Sequence, residues 1–144
     1  MIIQTSSPQQ VMALNNEKKK GIVLIWFYAV WCGHCNSMEE DWDKLSNNHP
    51  KEIKLAKIES SNMDNYEKSP GEQELKGYPT MRLYDKDANV IKEYDGDRSY
   101  GSMYKFIDTY VKKKSVTKNN LMIVRARRGN QINKNLIRSI IKKK

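Results

Sequence analysis

Seven consecutive apolar residues, Ile22-Val23-Leu24-Ile25-Trp26-Phe27-Tyr28, constrain the fold of this chain more than any other stretch. The run is short, rich in branched and aromatic side chains, and preceded by the polar break Glu17-Lys18-Lys19-Lys20-Gly21, so it reads as a strand. A half-solvated strand alternates polar and apolar residues, and this one does not. Both of its faces must therefore be covered, which calls for an α/β arrangement with layers on each side of a sheet.

The flanking segments supply those layers. Ser7-Pro8 reads as an N-cap followed by a proline in the first helical turn, with Val11, Met12 and Leu14 as an apolar face up to about Asn16. Beyond the apolar run, Cys35, Met38, Trp42 and Leu45 recur at steps of three and four, a helical stripe that ends near Asn47-Asn48-His49-Pro50. Ile53, Leu55 and Ile58 alternate as a strand does, and a helical segment is expected over Tyr66 to Leu75 even though Pro70-Gly71 interrupts it. Thr80 to Tyr84 and Val90 to Tyr94 flank the turn residues Asp85 to Asn89 as an antiparallel hairpin. Tyr100 to Lys113 closes the domain as a helix with Met103, Phe106, Ile107, Tyr110 and Val111 inward. A helix-crossover half followed by a hairpin half predicts a central mixed β-sheet flanked by helices on both faces.

The 144 residues suit one ordinary domain of about 100 to 150 residues, with a remainder. No window approaches the ~20 apolar residues of a membrane span. The net charge of +9 is unevenly placed: 12 of the 26 basic residues follow Val111 with no acid among them, leaving 14 basic against 17 acidic side chains before it. We therefore expect a mildly acidic domain over residues 1–113 and a basic C-terminal extension over 114–144. The stretch from Met1 to Pro8 has neither the basic start nor the apolar core of a secretory signal, which leaves cytoplasm, viral particle and secretory pathway all open.

The two cysteines both lie in Trp31-Cys32-Gly33-His34-Cys35, at the expected strand-to-helix turn. The loop they enclose is too short for a stabilising staple. At that turn the unpaired N–H groups and positive dipole end of the helix favour a thiolate on the first cysteine, the setting of a redox centre. A zinc site needs about four ligands, and here only Cys32, Cys35, the poorly aimed His34 and the distant His49 are on offer. Covalent haem calls for a histidine directly after the second cysteine, where Asn36 stands.

Three separated pieces belong together: Phe27-Tyr28-Ala29-Val30-Trp31-Cys32-Gly33-His34-Cys35, Gly77-Tyr78-Pro79-Thr80 and Tyr94-Asp95-Gly96-Asp97-Arg98. In this order and spacing the chain resembles, over about residues 7–113, a thioredoxin-fold domain of the protein disulfide isomerase type. The resemblance implies a redox-active disulfide Cys32-Cys35, with Cys32 as the exposed attacking thiolate and Cys35, one helical turn deeper, as the resolving thiol. It implies that Gly33 and His34 tune the pair, the imidazole helping to stabilise the Cys32 thiolate. Pro79 is expected in cis and facing the thiols, with the Tyr78 backbone turned toward a bound peptide and Trp31 as an aromatic lip. Arg98 matches an arginine that swings toward the resolving thiol.

The chain also departs from that family. Where relatives keep a buried acid that relays protons to the resolving thiol stands Trp26, while the lysine that pairs with this acid is present as Lys57, which should then reach solvent or another carboxylate. Glu40 stands where many relatives have a kinking proline, and Asn36 replaces a common lysine.

The implied activity is thiol-disulfide exchange on protein disulfides, in the sense of oxidation, reduction or isomerisation, with no bound cofactor and with a redox partner to reset the pair. The rival reading is a peptide-binding or assembly adaptor built on the same fold, for which two intact thiols have no use. In the extension, Leu121 to Val124 reads as a strand, and Ile132, Leu136, Ile137, Ile140 and Ile141 share a helical face opposite Lys134 and Arg138. Such a segment packs on its own domain, or binds an acidic protein, nucleic acid or anionic lipid.

Overall fold

The computed structural model describes residues 2–112, so the basic extension expected over 114–144 lies outside the described residues. The chain divides into the units Met1–Ile107 and Asp108–Lys144, and the architecture below is that of the first.

The seven-residue apolar run forms the central strand. In chain order the elements are β1 (Ile2–Ile3), α1 (Pro8–Glu17), β2 (Ile22–Tyr28), α2 (Gly33–Asn48), β3 (Ile53–Glu59), a 3-10 turn (Ser60–Asn65), β4 (Thr80–Tyr84) and β5 (Val90–Tyr94). A last helix, α3, begins at Tyr100, and its described residues run to 112. The strands lie in the order β1-β3-β2-β4-β5. The sheet is mixed: β3 is parallel to β1 and to β2, while β4 runs antiparallel to β2 and to β5. The β2-α2-β3 unit is the crossover that a parallel pair requires, and the short turn at Asp85 to Asn89 suffices for the antiparallel pair.

Side chains alternate across β2, and each face of the sheet has its own helix. Val23, Ile25 and Phe27 join Val11 and Leu14 of α1 in one buried cluster. Trp26 points the other way and meets Trp42 of α2, with ring centroids 5.1 Å apart. The backbone N–H of Tyr100 donates to Asp41 Oδ1 of α2 at 3.1 Å, fixing the start of α3 on that same side, and Met103 and Ile107 are buried. Burying each large aliphatic or aromatic side chain contributes about 1.5–3 kcal/mol, and β2 contributes on both faces of the sheet at once.

Two expectations fail for identifiable reasons. Met12 does not face inward; it is 57% exposed, and Asn15 takes the buried place beside Val11 and Leu14. No helix forms over Tyr66 to Leu75, where the chain runs irregularly after the 3-10 turn. Gly71 adopts a left-handed backbone there (φ 80°), which breaks any helix. The backbone groups of this segment are paired by side chains of other elements instead of by a helical ladder. Asn15 Nδ2 donates to the Asn65 carbonyl at 2.9 Å, and Asn15 Oδ1 accepts the Glu67 N–H at 2.9 Å. Arg82 Nη1 donates to the Gln73 carbonyl at 2.8 Å.

Candidate active site

The turn between β2 and α2 carries the thiol pair, joined as a disulfide with Cα atoms 5.2 Å apart. Cys32 is the N-cap of α2: its extended backbone precedes the first helical turn, and its Sγ accepts the Cys35 N–H at 3.1 Å. A helix start leaves its first N–H groups without backbone acceptors, and here one of them is aimed at sulfur. The same hydrogen bond stabilises a Cys32 thiolate once the disulfide is reduced, and the dipole of a sixteen-residue helix acts in the same sense.

Cys32 is less open than expected of an attacking thiolate, at 6% exposure against 1% for Cys35. The order of depth is as expected, but the surface at the site belongs to the neighbours. Val30 and Trp31 are 68% and 72% exposed, and Gly33 and His34 are exposed as well. A Cβ placed on Gly33 would meet no atom within 4 Å, so the backbone between the two cysteines faces open space. The Tyr78-Pro79 peptide bond is cis, and the Tyr78 ring meets Trp31 edge to face at 5.7 Å. Trp31 and Tyr78, from segments nearly fifty residues apart, thus form a continuous aromatic rim beside the disulfide.

On the other side, a cavity of about 250 Å³ is lined by His34, Ser37, Met38, Asp41, Asp97 and Arg98. Arg98 is exposed there beside His34. Its turn is held by Tyr94, whose hydroxyl donates to the Asp97 carbonyl and whose ring packs at a tilt against Phe106, with centroids 5.0 Å apart.

Lys57 and Trp26 lie apart from this surface. They are register partners on β3 and β2, and the Lys57 ammonium stands 5.7 Å from the Trp26 ring centroid and 5.5 Å from that of Tyr28. Lys57 was expected to reach solvent or another carboxylate; it is half-buried against the aromatic rings, at the wall of a cavity of about 630 Å³ shared with Tyr28, Trp42, Asp43 and Glu59. Burial, together with the negative charge of Glu59 and Glu39, pushes the Tyr28 phenol up.

Sequence reading passed over Glu59, which shapes the site. Glu59 accepts the Val30 N–H at 3.3 Å while its other contacts come from Ser60 and Ser61. The Ser61 hydroxyl, the Ser60 hydroxyl and the N–H groups of Ser61 and Val30 outweigh its desolvation and hold its carboxyl at about 2. Asn36, known from the sequence only as a replaced lysine, holds the next peptide group of the same residue, its Nδ2 donating to the Val30 carbonyl at 3.4 Å. The only sequence signal was Glu59-Ser60-Ser61, an acceptor followed by two hydroxyls at the end of a strand. Among the described residues no group of three or more His, Cys, Asp and Glu side chains gathers as a metal site, and no helix is long and apolar enough to cross a membrane.

A thioredoxin family model matches residues 5–109, the stretch that holds both cysteines, Pro79 and Arg98. The chain belongs to the thioredoxin family. Within it, this thioredoxin-family chain is 32% identical over 111 residues to the protein disulfide-isomerase erp38 of Neurospora crassa, covering 72% of this chain and 30% of that protein. It is 35% identical over 101 residues to protein disulfide isomerase-like 1-1 of Arabidopsis thaliana, covering 67% of this chain and 19% of that protein. The chain thus spans less than a third of the length of these curated relatives. In fold it is similar to the J-Trx1 fragment of ERdj5, with a TM-score of 0.59 at 19% identity, over 77% of this chain and 52% of that one. It is also similar to the first two thioredoxin domains of Naumovozyma dairenensis Eps1p, with a TM-score of 0.54 at 24% identity, over 66% of this chain and 36% of that one.

Proposed function

We propose that this thioredoxin-family chain is a thiol-disulfide oxidoreductase that acts on protein or peptide disulfides. The observation that carries the reading is the hydrogen bond from the Cys35 N–H to Cys32 Sγ at the start of α2, beside the exposed Trp31-Tyr78 rim.

In the reducing direction, the Cys32 thiolate attacks one sulfur of a substrate disulfide. A mixed disulfide forms and the first substrate sulfur leaves as a thiolate. Cys35 then gives up its proton and attacks Cys32 Sγ, which breaks the mixed disulfide, releases the second substrate thiolate and leaves the Cys32-Cys35 disulfide. Two electrons pass to the substrate, and a dithiol partner restores them. Run backwards, the same steps oxidise a substrate dithiol, and a mixed disulfide resolved by another substrate thiol gives isomerisation. The potentials of the pair and of its partner set the direction. No bound cofactor takes part, since the sulfurs carry the electrons.

Trp31 and Tyr78 offer apolar area to the residues around a substrate cysteine, and the free space over Gly33 admits the chain. Reduction of insulin by the dithiol-loaded protein tests the proposal. Turnover that disappears in Cys32→Ser supports it; equal turnover in Cys32→Ser overturns it and leaves the adaptor reading.

A further inference from the structure

Behind the Tyr78 side of the rim lies a buried charged cluster that thiol exchange does not use. Its centre is Glu72, whose side chain is 1% exposed. The carboxylate accepts the Tyr84 hydroxyl at 2.6 Å, the Ser69 N–H at 2.9 Å and Arg82 Nη1 at 3.0 Å. The Tyr66 hydroxyl lies 3.2 Å away, and Lys18 Nζ stands at 3.6 Å. Burial alone would raise this carboxyl, but Tyr84, the Ser69 N–H, Lys18 and Arg82 outweigh it and hold it below the ordinary range. An isolated buried carboxylate is costly, so these donors and the carboxylate hold one another in place.

The position of the cluster gives it a role. Glu72 lies in the irregular segment that leads from the 3-10 turn to Pro79; Ser69 and Tyr66 reach it from the same stretch of chain, Lys18 from the C-cap of α1, and Arg82 and Tyr84 from β4. Arg82, three residues past Pro79, also donates to the Gln73 carbonyl at 2.8 Å and to Glu93 at 2.9 Å. Glu72 and Gln73, before Tyr78 in the chain, are thus tied to Arg82 and Tyr84, after it. Tyr78 itself lines a small cavity with Glu72, Glu74, Leu75 and Arg82, and its ring meets Trp31 at 5.7 Å. It joins the charged cluster to the rim.

We propose that Glu72 is a positioning residue: through the Arg82 and Tyr84 clasp it sets the place of Tyr78, and so the seating of protein substrates beside the Cys32-Cys35 disulfide, without touching sulfur or substrate. The proposal rests on the oxidoreductase reading and deepens it. A small disulfide such as 2-hydroxyethyl disulfide reaches the sulfur without using the rim; a protein substrate needs it.

The test compares wild type with Glu72→Gln, of the same shape but uncharged, well below the melting temperature of both. For Glu72→Gln we expect KM for insulin to rise about tenfold, with kcat, the rate toward 2-hydroxyethyl disulfide and the reduction potential unchanged. An unchanged KM, or a parallel loss toward both disulfides, overturns the proposal. Should Glu72→Gln fail to fold, Tyr84→Phe removes the 2.6 Å bond and keeps the ring, and the same split is expected at about threefold; no split in Tyr84→Phe overturns the proposal equally. A wild-type protein inactive on both disulfides would instead overturn the oxidoreductase reading itself, an outcome distinct from wild-type activity that Glu72→Gln leaves intact.

Discussion

The Lys57 ammonium stands 5.7 Å from the ring of its register partner Trp26, so a cation that a carboxylate would neutralise rests on an aromatic face. The Trp26 indole N–H is buried without a hydrogen-bond partner among the described residues, and it cannot accept a proton from Cys35. We expect Trp26→Glu to speed resolution of the mixed disulfide by about tenfold, as a positioned base does. Loss of the ring should cost about 3–5 kcal/mol of stability, so the rate is read by stopped flow well below the melting temperature. An unchanged rate in a folded variant removes position 26 from proton transfer.

Reduced Cys32 should ionise well below the ordinary thiol value of about 8.5, within roughly 3.5–7.5, because a helix N–H and the helix dipole both favour its thiolate. The pH profile of iodoacetamide alkylation measures it. Cys35→Ser should accumulate a mixed disulfide with insulin that thiol reagents release. A Cys32 midpoint at the free-thiol value would contradict the assigned helix effect.

Acid should loosen the loop at Val30 through Glu59. A carboxyl held at about 2 against its ordinary 4.5 stabilises the fold fully above 4.5, and that contribution is lost as pH falls from 4.5 through 2. The melting temperature of wild type should therefore exceed that of Glu59→Gln at neutral pH, and the two should converge across that window. Melting curves at successive pH values check the convergence; a constant gap down to pH 2 argues against this carboxylate.

Gly96 leaves room for a neighbouring ring. A Cβ there would lie 2.7 Å from the Tyr94 hydroxyl and 2.8 Å from Cζ, and Tyr94 is held by the Asp97 carbonyl and by Phe106. Gly96→Ala should destabilise the unit by about 1–3 kcal/mol, the usual range for overpacking, and displace the turn that carries Arg98. Denaturant melts give the first effect. A loss below about 0.5 kcal/mol would mean that the ring moves aside freely.

Trp31→Ala should separate binding from stability. At 72% exposure the ring adds little to the core, so unfolding should change by no more than about 0.5 kcal/mol. KM for insulin should rise severalfold with the rate toward a small disulfide unchanged. Equal losses toward both would place Trp31 in support of the thiols and not of the substrate.

Local pattern carried much of the fold. The alternation of Ile53, Leu55 and Ile58, the three-four spacing from Cys35 to Leu45 and the turn chemistry of Asp85 to Asn89 each reflect contacts made within a few residues, so β3, α2 and the hairpin were legible. The segment from Tyr66 to Leu75 was not. Pro70-Gly71 was a visible break, but the path the segment takes instead is decided by Asn15, Lys18 and Arg82, which reach it from α1, its C-cap and β4. The same holds for Met12: apolar spacing nominated it, but the face of α1 that the sheet covers is the one holding Val11, Leu14 and Asn15.

What the sequence alone determined is the chemistry at hand: two thiols at the mouth of a helix behind a fully buried strand, because both follow from the order of residues along a few turns of chain. Only the tertiary structure decided what surrounds them. It brought Tyr78 onto Trp31, Glu59 onto Val30, Lys57 onto Trp26 and five polar groups around Glu72. Apart from the Ser69 and Tyr66 contacts to Glu72, these pairings join parts of the chain that only the packing of the sheet and its helices brings together, so no local preference announces them.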